Sequence, residues 1–161
     1  MNADGYASQA GGADIAAEIL FLHILGCTVI EIIEADVALI AQANALPEKI
    51  RAAMDKLAFH EALDEAWRVI RAADGYIDAQ APWSLRKIDT DRMNSVLYTL
   101  CEVLRVLGVV LQPFMPETMG KLLDYLGLSD DRLLSVLNTP LVEGTPLPAP
   151  SGLFPRMIEA A

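Results

Sequence analysis

The stretch DAQAPWSLRK, residues 78–87, holds the side chains best suited to chemistry in this chain of 161 residues. Trp83 is one of two tryptophans; it follows Pro82, and Arg86 and Lys87 come within four positions of it. An aromatic face can stack on a flat ligand, above all an unpaired RNA base, and each such stack contributes about 1–3 kcal/mol. The neighbouring cations suit phosphate oxygens. The same indole could instead close a helix–helix corner and be buried there, because tryptophan is usually well buried. Both readings of Trp83 stand on the residues alone.

Other chemistry is hard to place. The chain contains no GxGxxG, P-loop, HExxH or GxSxG pattern, so no cofactor is implied. His23 and His60 lack partners of metal-ligand type, so no metal site is expected. Carboxylate pairs such as Asp64/Glu65 and Asp130/Asp131 read as solvated helix surface. Cys27 and Cys101 form no CxxC pair and fit two reduced thiols of a cytoplasmic protein.

The net charge of −10 opposes binding to phosphate, but it is unevenly distributed. Residues 1–48 carry seven acids and no Lys or Arg. Five of the 12 basic residues lie between 68 and 92: Arg68, Arg71, Arg86, Lys87 and Arg92. No membrane role is expected, since the apolar run ILFLHILGCTVI has only 12 residues, is bracketed by Glu18 and Glu31, and lacks a basic flank.

The elements that would position Trp83 are helical. Residues 1–33 form an atypical apolar and acidic segment, read as helical pieces broken near Gly26. Val37, Ile40 and Ala41 then suggest one helix, and Ile50, Met54 and Leu57 a second that starts at Pro47. A long third helix places Leu63, Trp67, Ile70 and Ile77 on its inward stripe, with Asp74-Gly75 as a weak point. Trp67 is expected in the core. Tyr76, one turn before Gln80, is expected to pack at the same corner as Trp83.

Asp89 or Thr90 can cap the strongest helix, whose stripe runs Met93, Val96, Leu97, Leu100, Leu104, Leu107 and Leu111. Its far end is apolar all round, which marks it as central. Pro116 opens a further helix ending at Gly127, and Ser129 suits the cap of another. Residues 138–161 hold five of the nine prolines and read as an extended strap docked by Leu153 and Phe154. The fold class is therefore all-α: an antiparallel bundle of about five helices over 34–137 with a Pro-rich tail.

Four stretches carry a resemblance to a known family, in order. They are EADVALIAQANALPEKIRAAMDKLAFHEAL, YIDAQAPWSLRK, VLYTLCEVLRVLGVVLQPFMPETMGKLLDYLG and GTPLPAPSGLFPRMIE, spanning 34–159. Together they resemble the C-terminal anticodon-binding domain of bacterial methionyl-tRNA synthetase. Related class I synthetases share looser versions of the same motifs. The resemblance implies a helix bundle that binds a methionine-accepting tRNA. It gives Trp83 the role of stacking on an anticodon base, with Pro82 shaping the site and Arg86 and Lys87 near phosphates.

The chain also departs from that pattern. The family opens with a helix carrying an Asn and an Arg four residues apart, and residues 1–33 have no Arg. The Asn-Arg that precedes the family's Tyr-Ile-Asp is Asp74-Gly75 here. The His-Ile-Gly-His and Lys-Met-Ser-Lys-Ser types of ATP motif are absent, so this chain alone is not expected to activate methionine. Two expectations follow. One is a tRNA-binding module, partnered by a synthetase catalytic domain where the chain is a fragment. The other is a protein-interaction or oligomerisation bundle that lost tRNA reading, its apolar N-terminus packing on a partner or, through residues 15–33, on its own copy. A small-molecule-binding bundle is a weaker third, without a polar constellation to support it.

Overall fold

The computed structural model describes residues 32–128, 132–142, 145, 147–149 and 152–154. Residues 1–31, with Cys27, His23 and all but the last two residues of the self-association stretch 15–33, therefore lie outside the described residues. Six α-helical segments and one 3-10 turn occur among the described residues, without a strand. They are α1 (Glu34–Asn44), α2 (Leu46–Met54), α3 (Phe59–Gln80), the single turn α4 (Pro82–Leu85), α5 (Thr90–Val110), α6 (Pro116–Tyr125) and a 3-10 turn (Leu134–Asn138). All belong to one unit, 32–161.

Helix α5 is the centre, packing against every other element in this unit. Its start is fixed by Asp89, whose carboxylate accepts the Arg92 backbone N–H at 2.9 Å. It is long and apolar enough to cross a membrane, yet 61% of that apolar window is buried inside the bundle. At Gly108 the next helix comes so close that an added Cβ would lie 2.9 Å from Leu123. Helix α6 ends in a Schellman-type cap: Leu128 N–H donates to Leu123 O at 2.9 Å while Gly127 takes φ +76°.

Ile50 of α2 and Val96 and Leu107 of α5 are buried as expected, with Leu111 just beyond it, but the inward stripes of α1 and α3 are shifted from the expected ones. In α1 the buried side chains are Asp36, Leu39 and Ala43, not Val37, Ile40 and Ala41. In α3 they are Ala62, Ala66, Val69 and Tyr76, while Leu63 and Trp67 are exposed and Ile70 and Ile77 half-buried. Trp67, expected in the core, is 55% exposed. The period was right and the phase wrong, because small alanines let α3 approach its neighbours and leave the large residues outside. Likewise Leu97 and Leu104 of α5 are exposed, and Leu57 lies outside α2 at φ +56°. Gly75 does not break α3: it sits on an open face where a Cβ would meet nothing.

The expected helix at 129–137 is a 3-10 turn over Leu134–Asn138, with Ser129 outside the described residues. This turn and the strap after it are held by their backbones. Tyr98 Oη donates to Leu141 O at 3.1 Å, Leu141 N–H donates to Glu102 Oε1, and Arg105 Nη1 donates to Val136 O at 2.9 Å. Leu153 packs against the core as expected, whereas Phe154 is exposed.

Candidate functional site

The corner between α3 and α5 begins with a strained residue. Ala81 caps α3 at φ 44°, ψ 60°, the left-handed region that costs an L-residue about 1–2 kcal/mol. Its N–H donates to Ile77 O at 3.0 Å, closing the helix end. Pro82 then starts α4, where its missing N–H leaves no bond unmade.

One helical turn sorts the next side chains by face. Pro82 is buried and Leu85, three residues on, packs against the core. Trp83 and Ser84 point outward. Arg86 and Lys87, in the turn that follows, are exposed as well. Trp83 itself is 60% exposed, so the buried-corner reading of its indole does not hold in this structure. Ile88 is also exposed.

Beneath this corner lies a polar network that motif reading did not find. Asp36 of α1 is fully buried and receives Arg92 of α5 twice, Nη1 to Oδ2 at 2.5 Å and Nη2 to Oδ1 at 2.7 Å. Tyr76 Oη donates to Asp36 Oδ1 at 2.6 Å, and the Ile33 backbone N–H donates to Oδ2 at 3.1 Å. Arg92 Nη2 also donates to Gln80 Oε1 at 2.7 Å. Three helices thus meet on one carboxylate.

Burial pushes the Asp36 carboxyl up, but the hydrogen bonds from Arg92, Tyr76 and Ile33 outweigh it and hold it below its ordinary value. Burial, and then donation to Asp36, push the Tyr76 hydroxyl up to about 12. The bond to Asp36 holds the Arg92 guanidinium above its ordinary value. Arg92 is therefore not one of the cations offered to a ligand, although the sequence places it in the basic cluster. Arg68 is exposed but paired with Glu65. Tyr76 and Gln80 share a helix face by their spacing of four, which was a signal. The Asp36–Arg92 partnership spans 56 positions and had none.

No group of His, Cys, Asp or Glu suited to a metal ion occurs among the described residues. Cys101 is free and half-buried, and burial followed by the Glu102 charge pushes its thiol up, so it is a poor nucleophile. An open cleft of about 420 Å³ at the far end of α5 is lined mainly by apolar groups. Its Gln112 already donates to Val109 O and Arg132 O.

Comparison with known proteins agrees with the motif order. The family model described as the anticodon binding domain of methionyl tRNA ligase matches residues 29–161. A methionine–tRNA ligase of Brucella suis is 47% identical over 129 residues, covering 79% of this chain and 25% of that protein. One of Mycobacterium leprae is 41% identical over 131 residues, covering 78% and 24%. The apo crystal structure of Mycobacterium tuberculosis methionyl-tRNA synthetase superposes with a TM-score of 0.78 at 35% identity, covering 91% of this chain and 32% of that one. The chain thus spans about a quarter of the length of the curated relatives it matches.

Proposed function

Since the chain belongs to the family of methionyl-tRNA ligase anticodon-binding domains, we propose that it is a tRNA-binding module that takes an unpaired anticodon base onto Trp83. The observation that carries this reading is the exposed indole on a one-turn helix flanked by exposed Arg86 and Lys87. Stacking suits an unpaired base because every base has a π-face, and two adjacent cations suit the phosphates on either side. Pro82 shapes the site from below rather than touching the ligand, because it is buried. The ligation named for the relatives requires a synthetase's catalytic domain, which we take to be this module's partner in translation, in the cytoplasm.

With Trp67 replaced by Phe, Trp83 is the single tryptophan and reports on its own stacking. Titrating that variant at low salt with a methionine-accepting tRNA is expected to quench its fluorescence saturably. Binding without a change in Trp83 emission would count against the site, and absence of binding against the reading as a whole.

A second reading rests on Phe59, Leu63 and Trp67, exposed at spacings of four along α3. This face suits a protein-interaction bundle. Light scattering discriminates: a monomer at all concentrations that still binds tRNA leaves the first reading alone.

A further inference from the structure

We propose that Gln80, held by the buried Asp36–Arg92 pair, is a positioning residue that fixes the Trp83 platform. This rests on the base-stacking reading above and adds to it the device that sets the indole's direction.

The connection from Ala81 to Asp89 joins α3 to α5, and both of its ends are tied to one residue. At the start, Gln80 Oε1 accepts from Arg92 Nη2 at 2.7 Å. At the return, Asp89 Oδ1 accepts from the Arg92 backbone N–H at 2.9 Å. Arg92 in turn is seated by its two bonds to Asp36. The start of the connection is therefore held by the buried, doubly bonded Arg92 side chain, and its return by the Arg92 backbone.

The clamp sits where the backbone most needs one. Ala81, the residue after Gln80, holds φ 44° without being glycine. Such a conformation persists only when its surroundings over-determine it. Pinning residue 80 on one side and burying Pro82 on the other supplies that constraint. Pro82 and Leu85 then act as the inward feet of α4, and Trp83 projects from its opposite face. The indole is 60% exposed, so the backbone beneath it sets where its Cα–Cβ bond points. A platform fixed before the ligand arrives loses less freedom on binding.

Gln80 is the member to test, because its side chain is half-buried and its loss leaves the Asp36–Arg92 pair intact. The full chain carrying Trp67→Phe is compared with Gln80→Ala, Gln80→Glu and Trp83→Ala added singly, and with Gln80→Ala plus Trp83→Ala. Circular dichroism and thermal melting verify folding. Gln80→Ala is expected to melt within a few degrees of its parent while the anisotropy of Trp83 falls and its quenching by acrylamide rises. Gln80→Glu keeps an oxygen for Arg92 and is expected to restore both signals. For a methionine-accepting tRNA at low salt, Gln80→Ala weakens binding about fivefold. Added to Trp83→Ala, it weakens binding by no more than about twofold further.

Unchanged anisotropy and quenching in Gln80→Ala would overturn the proposal, as would losses that add in full. A Trp83→Ala chain that binds as well as its parent would instead sink the base-stacking reading. The fluorescence arm would then still decide whether Gln80 orients the indole.

Discussion

Helix α5 carries two buried ion pairs, and they do different work. Arg92 at its first turn reaches across the bundle to Asp36 on α1, and Tyr76 and Gln80 of α3 join the pair. Arg105, near its far end, pairs with Glu102 on its own helix; Arg105 also donates to Val136 O of the 3-10 turn, and Glu102 accepts from the Leu141 N–H of the strap. The first pair joins three helices beneath the Trp83 corner. The second fastens an extended segment that has few apolar anchors. Equal burial thus hides unequal reach: one pair fixes how helices meet, the other fixes a strap to a helix already formed.

The sharpest way to break this contrast is Asp36→Asn, which leaves the Arg92 charge buried without its counter-ion. Losing one partner of such a pair costs about 3–5 kcal/mol, read as a lower urea midpoint. The pH dependence gives a second reading. The folded carboxyl sits below its ordinary 3.8, so protons favour the unfolded chain. Stability is full above that value and falls as pH drops through the folded one. Asp36→Asn is expected to remove that part of the acid limb.

Tyr76→Phe is a milder cut at the same end, costing about 2 kcal/mol for a hydrogen bond to a charged group. Its signature is alkaline. The tyrosine is held neutral in the fold from 10.0 up to about 12, so its contribution is present below pH 10 and fades as pH climbs through 12. The phenylalanine variant is expected to lose this alkaline slope and to keep the acid one.

Glu102→Gln should have the smallest global effect, about 1–2 kcal/mol, since the strap can open locally before the bundle does. Its expected mark is faster proteolysis within 132–142, with Trp83 emission unchanged. A fall in Trp83 anisotropy in this variant would erase the distinction between the two pairs.

Much of this organisation was legible. Helical period, the prolines at 47 and 116, Asp89 as a cap and Gly127 as a stop all act locally, and each marks its element. The phase of α1 and α3 was not legible. Hydrophobicity ranks Trp67 and Leu63 above Ala62 and Ala66, but close helix packing selects the small side chains. The Asp36–Arg92 contact was beyond pattern reading too, because an acid and a base 56 positions apart carry no mark of meeting. At the site, the motif order singled out Trp83, Pro82, Arg86 and Lys87. It could not separate the buried proline from the exposed indole, nor remove Arg92 from the cations on offer.

The central claim is that Trp83 is a base-stacking platform, and it is tested by one comparison of affinities. The wild-type chain and Trp83→Ala are each titrated at low salt with a methionine-accepting tRNA. Wild type is predicted to bind, and Trp83→Ala to bind about tenfold more weakly, as the loss of one stack requires. Equal affinity of the two chains, or no binding by the wild type, would contradict it.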